Sequence, residues 1–405
     1  MNARRCDIAI LGGGLAGGLI ALALARHRPD LTLLLVEQDE RLGGNHVWSF
    51  FGTDTDQPAT DLLAPLVTAT WSDYEVRFPG QTRTLGTSYC AMTSASLDAA
   101  LRAALPADAI LSGTSVTACS ADEVTLGDGT LISAGGVIDA RGIRDVTHFT
   151  GGWQKFVGQK LKLTAPHGLA RPIVMDATVE QADGYRFVYA LPFAPDVVFL
   201  EDTYYSDDAA LDQPLLRQRI ADYAAAKGWQ IESILNEEHG VLPVVAGGDF
   251  KGFWRAGDQQ AARAGSRAGL FHALTSYSVP DAVRFALALA QEAALDGASL
   301  KAFSARWAAQ HWQAQTYYRT LSALLFAAAE PDGRYRVLQR FYRLDPALIE
   351  RFYSGRSTPF DKFRILAGIP PVPISRALGV LTGLGKQPLP LQIAPLHFTG
   401  SPEVS

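Results

Sequence analysis

Short apolar runs and one helix-forming stretch alternate at the start of the chain. Residues 7–11 form an apolar run bounded by glycine, a pattern typical of a strand buried on both faces of a parallel sheet. Residues 15–27 contain helix formers throughout, Pro29 and Asp30 interrupt them, and residues 31–36 are apolar again. The pattern predicts a strand, a helix and a second, parallel strand.

Similar patterns continue to about residue 150. Residues 97–105 predict a helix, and residues 115–117 and 123–126 predict short strands. The sequence Gly-Asp-Gly at residues 127–129 is typical of the turn in a hairpin. Residues 136–142 then begin as a buried parallel strand and end in a polar turn.

From about residue 151 to residue 245 the chain changes to alternating, aromatic-rich runs, which are typical of an antiparallel sheet. The predicted strands are residues 156–163, 173–177, 186–191 and 197–204. Residues 280–295 and the chain from Leu300 onward predict helices. The proline-rich tail after Gly385 predicts little regular structure.

The composition predicts a folded protein with more than one domain. Of the 405 residues, 48% are hydrophobic and 19% are charged, which allows a large core. A net charge of -5 gives no basic face for nucleic acid, so we expect no nucleic-acid partner. The cysteines have no metal-ligand spacing, so we expect no metal and buried thiols in a reducing cytoplasm; they are Cys6, Cys90 and Cys119.

The N-terminus has one feature of a secretory signal or a membrane span. Arg4 and Arg5 precede an apolar stretch that ends in Ala-Leu-Ala at residues 23–25. Asp7 interrupts the start of this stretch, and three glycines at residues 12–14 interrupt its middle. We therefore expect neither a signal peptide nor a transmembrane helix.

Gly12, Gly14 and Gly17 form the motif GxGxxG between the first predicted strand and the helix, and Glu37 ends the second strand. In this context the glycines permit a tight turn, close approach of a pyrophosphate and packing of helix on strand, while the helix N-terminus attracts phosphate. Glu37 can accept hydrogen bonds from ribose hydroxyls. The unit predicts binding of FAD or NAD.

The segment after Glu37 favours FAD. Residues 38–44, which include Arg41, lead from the acidic strand end to a paired glycine. This extension resembles FAD proteins related to glutathione reductase and the aromatic hydroxylases, and a plain NAD dehydrogenase has no need of it. Asp139 with Arg141 resembles a second flavin-side contact of that superfamily, and a surface turn at a strand end is the alternative.

Two carboxylates, Glu201 and Asp202, directly follow the apolar run 197–200. A carboxylate held against apolar and aromatic walls has a raised pKa and can remain a proton donor near neutral pH. From the residues alone these are candidate general acids, and a solvated strand end is the alternative.

Several segments together resemble the bacterial lycopene β-cyclase family, namely the glycine motif and residues 43–50, 199–203 and 271–278. The resemblance runs from Asp7 to about Gly385. It implies reduced FAD as cofactor, NAD(P)H as external reductant and lycopene as substrate. The resemblance implies that the ends of lycopene are closed into β-ionone rings, which gives γ-carotene and then β-carotene, without net oxidation. The reaction is that of an intramolecular lyase, and the essential acid falls on Glu201, with Asp202 as a possible partner.

These patterns and the resemblance predict an α/β fold with a Rossmann-like FAD-binding domain of the glutathione reductase and aromatic hydroxylase type, formed by residues 1–150 and about 246–298. An antiparallel-sheet substrate domain is inserted at residues 151–245. A helical region, 299–385, and a loosely ordered tail, 386–405, follow.

Two local features bear on the implied mechanism, in which a proton starts ring closure through a carbocation. Ala273, Leu274 and Ser276 stand where the family has proline, threonine and glycine, so the shape of the pocket there is open to question. Aromatic residues of the segment 300–345 either face the cation or polyene or pack a helical core. They are Phe303, Trp307, Trp312, Tyr317, Tyr318, Phe326, Tyr335, Phe341 and Tyr342.

Other functions stay open. An FAD-dependent monooxygenase or reductase acting on a hydrophobic isoprenoid would share the N-terminal unit. Such monooxygenases usually carry a Gly-Asp pair near the flavin, whereas the corresponding segment 267–272, around Gly269, has no aspartate. A flavin-containing carotenoid carrier on a membrane is the non-enzymatic alternative.

A carotene hydrocarbon dissolves in lipid, so the resemblance also implies peripheral association with the cytoplasmic face of a membrane. The contact is expected through the aromatic and arginine-rich helices after Leu300 or the apolar stretch 365–384, and ordinary core helices are the alternative. Other carotenoid-pathway enzymes are the expected protein partners.

Overall fold

The computed structural model describes residues 4–256, 260–368 and 371–392. The helices are α1 (Leu15–His27), α2 (Gln57–Leu63), α3 (Ser94–Ala104), α4 (Gln213–Ala226), α5 (Phe250–Ala256), α6 (Val279–Ala290), α7 (Gly297–Ala314), α8 (Thr316–Ala323), α9 (Tyr335–Phe341), α10 (Pro346–Tyr353), α11 (Pro359–Leu366) and α12 (Ile374–Thr382). The strands are β1 (Arg4–Leu11), β2 (Leu33–Val36), β3 (Val47–Phe51), β4 (Val67–Trp71), β5 (Tyr74–Phe78), β6 (Gln81–Leu85), β7 (Tyr89–Thr93), β8 (Ile110–Leu111), β9 (Val116–Cys119), β10 (Glu123–Leu126), β11 (Leu131–Asp139), β12 (Phe149–Leu163), β13 (Ile173–Asp176), β14 (Tyr185–Ala194), β15 (Val197–Ser206), β16 (Ile231–Gly248), β17 (Ala262–Arg263) and β18 (Leu389–Pro390).

The first sheet has the strand order β8-β2-β1-β11-β10-β9, and β17 also pairs with β11. β1 is parallel to both β2 and β11, with Leu11 opposite Val36 and Asp139. The strand, helix and strand predicted at the N-terminus are confirmed, and the predicted helix coincides with α1. Because parallel strands end at one edge of a sheet, the turns after β1 and β11 lie side by side.

Helices α1, α3 and α6 pack together beside this sheet and share its apolar core. The helix predicted for residues 280–295 is shorter than expected, because α6 ends at Ala290. Asp296 then begins α7, since its carboxylate accepts hydrogen bonds from the backbone N–H groups of Ala298 and Ser299. The apolar stretch is therefore divided between two helices, and Asp296 is the N-cap of the second.

The second sheet has the order β16-β12-β15-β14-β13-β5-β6, with β18 also paired to β12. The predicted antiparallel strands are confirmed as β12 to β15. The sequence did not predict β16, whose first half is rich in exposed polar residues, or the hairpin β5-β6. Residues 74–85 thus lie in this sheet, although the sequence assigned them to the FAD-binding domain; the division into domains stays a prediction. A third sheet, β3-β7-β4, completes the strands.

The helical C-terminal region is confirmed as α7 to α12, and many of its aromatic side chains are packed in cores. Phe303 and Trp307 pack beside the first sheet, and Tyr318, Phe326, Phe341 and Tyr342 belong to a core shared with the second. Arg334 is fully buried, and its guanidinium donates to the Asp207 carboxylate and the Tyr205 carbonyl, which fixes this region to the second sheet.

The cysteines and the C-terminal tail differ in part from the predictions. Cys6 is buried, but Cys90 and Cys119 are only half-buried, because they lie on strand faces that other elements cover incompletely. In the predicted loose tail, β18 pairs with β12 and Leu391 is buried. Residues 393–405 lie outside the described residues.

Candidate active site

A cavity of about 580 Å³ extends between the first two sheets. One end is formed where β1, β2 and β11 terminate, and its wall includes Gly12, Glu37 and Arg141. The other end is formed by a face of the second sheet and includes Glu201 and Glu238. We call these the nucleotide end and the acid end.

The glycine turn shapes the nucleotide end. Gly12 has a φ of 95°, and a Cβ there would lie 2.9 Å from the Ala140 carbonyl oxygen. Gly17 allows α1 to pack on β1, because a Cβ there would lie 1.9 Å from the Gly12 carbonyl oxygen. Gly14 caps α1 and lines the cavity, and a Cβ there would meet no atom within 4 Å. The N-terminus of α1 therefore faces open space that a phosphate can enter.

Glu37 is held in place at the end of β2. One carboxylate oxygen accepts the Gly13 N–H at 2.6 Å, and the other accepts the Asp39 N–H at 3.1 Å. A carboxylate has about four acceptor positions, so each oxygen keeps capacity for a further donor. Glu37 lines the cavity, and the position suits an acceptor of sugar hydroxyls.

Asp139 lies behind the cavity wall. It is 2% exposed and pairs with Arg141 at 2.9 Å and Arg267 at 2.6 Å. Burial acts to raise the pKa of this carboxyl, but hydrogen bonding from Arg141 and the charge of Arg267 outweigh it and lower the pKa. Arg141 itself lines the cavity. Asp139 thus positions an arginine of the wall.

The structure does not bring Arg41 and Gly269 to the cavity wall. Arg41 is exposed, and Gly269 borders a separate small space beside Phe149. Gly265 and Ser266 line the cavity instead. They follow β17, a two-residue strand parallel to β11 that is too short to give a sequence pattern.

Glu201 lies at the acid end, on the central part of β15. It is 9% exposed, and the Thr203 hydroxyl donates to its carboxylate. Burial raises the pKa of Glu201 to about 8, the charge of Glu238 adds to this effect, and the hydrogen bond from Thr203 opposes it. Glu201 therefore carries a proton at neutral pH.

Asp202 lies on the opposite face of the same strand. Successive residues of a strand point to opposite faces, so Glu201 and Asp202 do not face the same space. Asp202 is fully buried and accepts two hydrogen bonds from Arg186 Nε, both at 3.0 Å. Burial raises the pKa of Asp202, and the hydrogen bonds and charge of Arg186 oppose the shift. The two candidate acids are therefore separated, and Asp202 forms a buried ion pair.

One row across the second sheet gathers residues from distant parts of the chain. Tyr189 on β14 is opposite Glu201, Glu201 is opposite Gly158 on β12, and Gly158 is opposite Glu238 on β16. Side chains at one register position point to the same face, and Tyr189, Glu201 and Glu238 line the cavity. The sequence pattern missed Glu238, because it lies in the charged run Asn-Glu-Glu-His, which is typical of a solvated segment.

Tyrosines also missed by the sequence reasoning enclose the acid end. Tyr89, Tyr189 and Tyr277 line the cavity, and the hydroxyls of Tyr189 and Tyr277 are 3.2 Å apart. Burial is the largest cause of the raised pKa of each, so all three stay neutral. Phe156 and Phe199 complete an aromatic wall. The aromatic residues of segment 300–345 do not line this cavity.

The described cavity wall combines two kinds of chemistry. The nucleotide end offers backbone N–H groups and a carboxylate, and the acid end offers a protonated carboxyl among neutral aromatic rings. Over the described ranges, no group of three or more His, Cys, Asp or Glu side chains could hold a metal ion. The site is therefore suited to acid chemistry beside a bound nucleotide.

Solved structures with a similar fold are flavoproteins. The probable FAD-dependent monooxygenase PqsL of Pseudomonas aeruginosa has a TM-score of 0.56 at 18% identity, covering 84% of this chain and 100% of that one. The p-nitrophenol 4-monooxygenase PnpA of Pseudomonas putida has a TM-score of 0.55 at 13% identity, covering 87% and 99%. The fold is that of the aromatic-hydroxylase class of FAD proteins, as predicted.

Proteins of similar sequence identify the family within this class of FAD proteins. Residues 7–379 match the family model described as lycopene cyclase protein. Proteins named lycopene beta-cyclase are 43% identical in Pantoea ananas and 44% identical in Pseudescherichia vulneris. Each alignment covers 92% of this chain, and the relatives are covered to 97% and 96%. The chain belongs to the lycopene cyclase family.

The segment 271–278, in which the resemblance implied three departures from the family pattern, lies partly on the cavity wall. Ser276 has a φ of 56°, a left-handed conformation that favours glycine. Its hydroxyl donates to the Pro243 carbonyl at 2.8 Å, and Ser276 lines the cavity. Ala273 and Leu274 instead pack in the core of the second sheet, so Ser276 is the substitution that reaches the cavity.

Substitution of Gly17 and Gly14 tests the packing of the glycine turn. We expect G17A to lower the free energy of unfolding by about 1–3 kcal/mol or more, because its methyl group would overlap the Gly12 carbonyl oxygen. G14A is the matched control without a steric overlap, and its effect should be smaller, about 0.5–1 kcal/mol, because alanine is a poorer N-cap than glycine. Urea unfolding without added nucleotide measures both, and equal stability of the two variants would contradict this account.

Protonation of Glu201 makes folding stability depend on pH. The pKa of Glu201 rises from 4.5 to about 8 on folding, so the stabilisation from its proton is complete below 4.5 and is lost as pH rises to about 8. The variant E201Q cannot titrate at this position, and we expect its stability relative to wild type to increase over that range. Urea unfolding at several pH values measures the difference, and a constant difference would refute the assignment.

Proposed function

We propose that this protein is a lycopene β-cyclase that uses reduced FAD to close the ψ-end groups of lycopene into β-ionone rings. The observation that carries the proposal is the position of Glu201, a buried and protonated acid in the same cavity as the glycine turn. Membership of the lycopene cyclase family supports the choice of substrate. We propose NAD(P)H as the external reductant of the flavin.

The nucleotide end fits the ADP part of FAD. Gly12, Gly14 and the N-terminus of α1 would approach the pyrophosphate, and Glu37 would accept the ribose hydroxyls. Arg141 and Ser266 would border the rest of the cofactor. When bound, reduced FAD supplies an electron-rich ring that favours nearby positive charge.

The acid end would carry out the ring closure. Glu201 donates its proton to the terminal double bond of lycopene, which leaves a tertiary carbocation. The neighbouring double bond attacks this cation and a carbon–carbon bond forms. Loss of a proton from the ring then leaves a β-ionone ring at the end of the carotene. The aromatic faces of Tyr89, Tyr189 and Phe199 stabilise the cation and exclude water that would trap it. The reaction is an isomerisation with no net oxidation.

The monooxygenase alternative rests only on the fold. The similar solved monooxygenases are 13–18% identical to this chain, whereas relatives named lycopene beta-cyclase are 43–44% identical. The names of these relatives favour cyclisation, which needs no oxygen. Conversion of lycopene under anaerobic conditions, without stoichiometric consumption of NAD(P)H, separates the two functions.

Replacement of Glu201 tests the proposal directly. We expect E201Q to lose ring formation by at least about 10²-fold, because glutamine cannot donate the proton. E237Q is the matched control on β16 of the same sheet, since Glu237 pairs with Arg217 outside the cavity. Product chromatography from lycopene-accumulating bacteria measures both variants. Unchanged ring formation by E201Q would refute the role of Glu201, and a wild-type protein that forms no rings would favour the carotenoid carrier.

We propose that the protein takes its substrate from a membrane surface through α11 and α12. We call the exposed apolar side chains of α11, of α12 and of the residues just after α12 the α11–α12 patch: Phe360, Phe363, Leu366, Ile374, Leu378, Leu381 and Leu384. Lys362, Arg364 and Lys386 lie beside it and would attract anionic lipid headgroups. No helix among the described residues is long and apolar enough to cross a membrane.

Binding to the cytoplasmic face would bring the protein close to other carotenoid-pathway enzymes, the partners that we expect.

Acidic substitutions in the α11–α12 patch test the membrane contact. We expect the double variant L378E/L381E to bind anionic lipid vesicles at least roughly tenfold more weakly, because burying two leucines in the interface is no longer favourable. L131E is the control, since Leu131 is also exposed but lies on β11, outside the patch. Flotation with vesicles measures the binding, and an equal loss for both variants would argue against the patch.

A further inference from the structure

Glu238 is the second carboxylate of the acid end, and no role follows for it from the proton donation by Glu201. It is 3% exposed and lines the cavity. Gly158 lies between it and Glu201 in the row across the sheet. A Cβ on Gly158 would lie 2.5 Å from the Phe199 ring and 3.3 Å from Glu238 Cγ, so the glycine leaves room for the Phe199 ring beside Glu238.

Glu238 and Glu201 have different hydrogen-bond partners. One carboxylate oxygen of Glu238 accepts the Val47 N–H at 2.9 Å and lies 3.3 Å from His46 Nδ1. Glu201 has only the Thr203 hydroxyl as a donor among the described residues. Burial and the charge of Glu238 raise the pKa of Glu201, which favours Glu201 as the acid of the pair.

Ring closure needs a base as well as an acid, because the proton added to one carbon is balanced by a proton lost from another. Four carboxylates line the described cavity wall. Glu37 and Asp39 lie at the nucleotide end, and Glu201 is the proposed proton donor. Tyr89, Tyr189 and Tyr277 are neutral donors rather than bases. Glu238 is the other carboxyl group of the acid end and lies in the same cavity as the aromatic wall.

We propose that Glu238 is the catalytic base that removes the ring proton after cyclisation, an inference that rests on the proposed function. The carbon–hydrogen bond next to the cation breaks, its electron pair forms the ring double bond, and the proton moves to the Glu238 carboxylate. Transfer of that proton from Glu238 to Glu201 restores the starting state. Glu238 thereby determines which carbon loses its proton, and hence where the ring double bond lies.

The test uses the flavin-loaded holoenzyme in lipid vesicles with lycopene, under anaerobic conditions with reduced FAD. Glutamine at position 238 keeps an oxygen for the Val47 N–H but is not a base. We expect E238Q to form β-rings roughly 10²-fold more slowly. The cation should then lose a different proton or capture water, which gives rings with a displaced double bond or a hydroxyl group. E237Q, on the same strand, should give only β-rings at the wild-type rate.

Product structure distinguishes a base from a purely electrostatic neighbour. If E238Q forms only β-rings, at the wild-type rate or with only a shifted pH profile, the proposal is overturned. If E238Q does not hold flavin, E238D decides: its retracted carboxylate should slow β-ring formation and increase the displaced products, and wild-type rate and products would overturn the proposal. A wild-type protein that makes no β-rings would instead refute the proposed function.

Discussion

The candidate active site depends on the register of one strand. β12 pairs with β15 on one side and with β16 on the other, and its Gly158 is the shared neighbour of Glu201 and Glu238. A slip of one residue in either pairing would move a carboxylate to the opposite face of the sheet. β12 has 15 residues, and its register with β16 is unbroken from Gly151 to Lys160, which includes Gly158. A slip over this length is costly, because every buried side chain of the segment would move with it.

The fold is shared with FAD-dependent monooxygenases, and the cavity of this chain carries a buried carboxyl at one end. That carboxyl, Glu201, lies on the second sheet beside an aromatic wall. Neutral tyrosines around it add no charge that would compete for its proton. A shared fold does not determine the reaction, so the proposed chemistry depends on the residues of the second sheet that line the cavity.

Local features of this protein could be predicted from sequence, and features that depend on pairing could not. The glycine turn, α1 and Glu37 follow from short-range patterns, because strand, turn and helix are adjacent in the chain. Glu238 and Tyr189 join Glu201 only through strand register, which residue patterns do not specify. The position of Asp202 could have been predicted. Successive residues of a strand point to opposite faces, so the predicted strand 197–204 already separates Asp202 from Glu201. The expectation that the two acids act as partners is therefore inconsistent with that strand.

One segment joins the two ends of the cavity. Residues 43–47 follow Glu37 along the nucleotide end, and the backbone of Val47 and the ring of His46 contact Glu238. A ligand at the nucleotide end that displaces these residues would therefore also change the contacts of Glu238. If a bound cofactor changes the proton affinity of Glu238 by some factor, protonation of Glu238 must change the affinity for the cofactor by the same factor. The strength of cofactor binding then becomes a measure of the state of a carboxylate on another sheet.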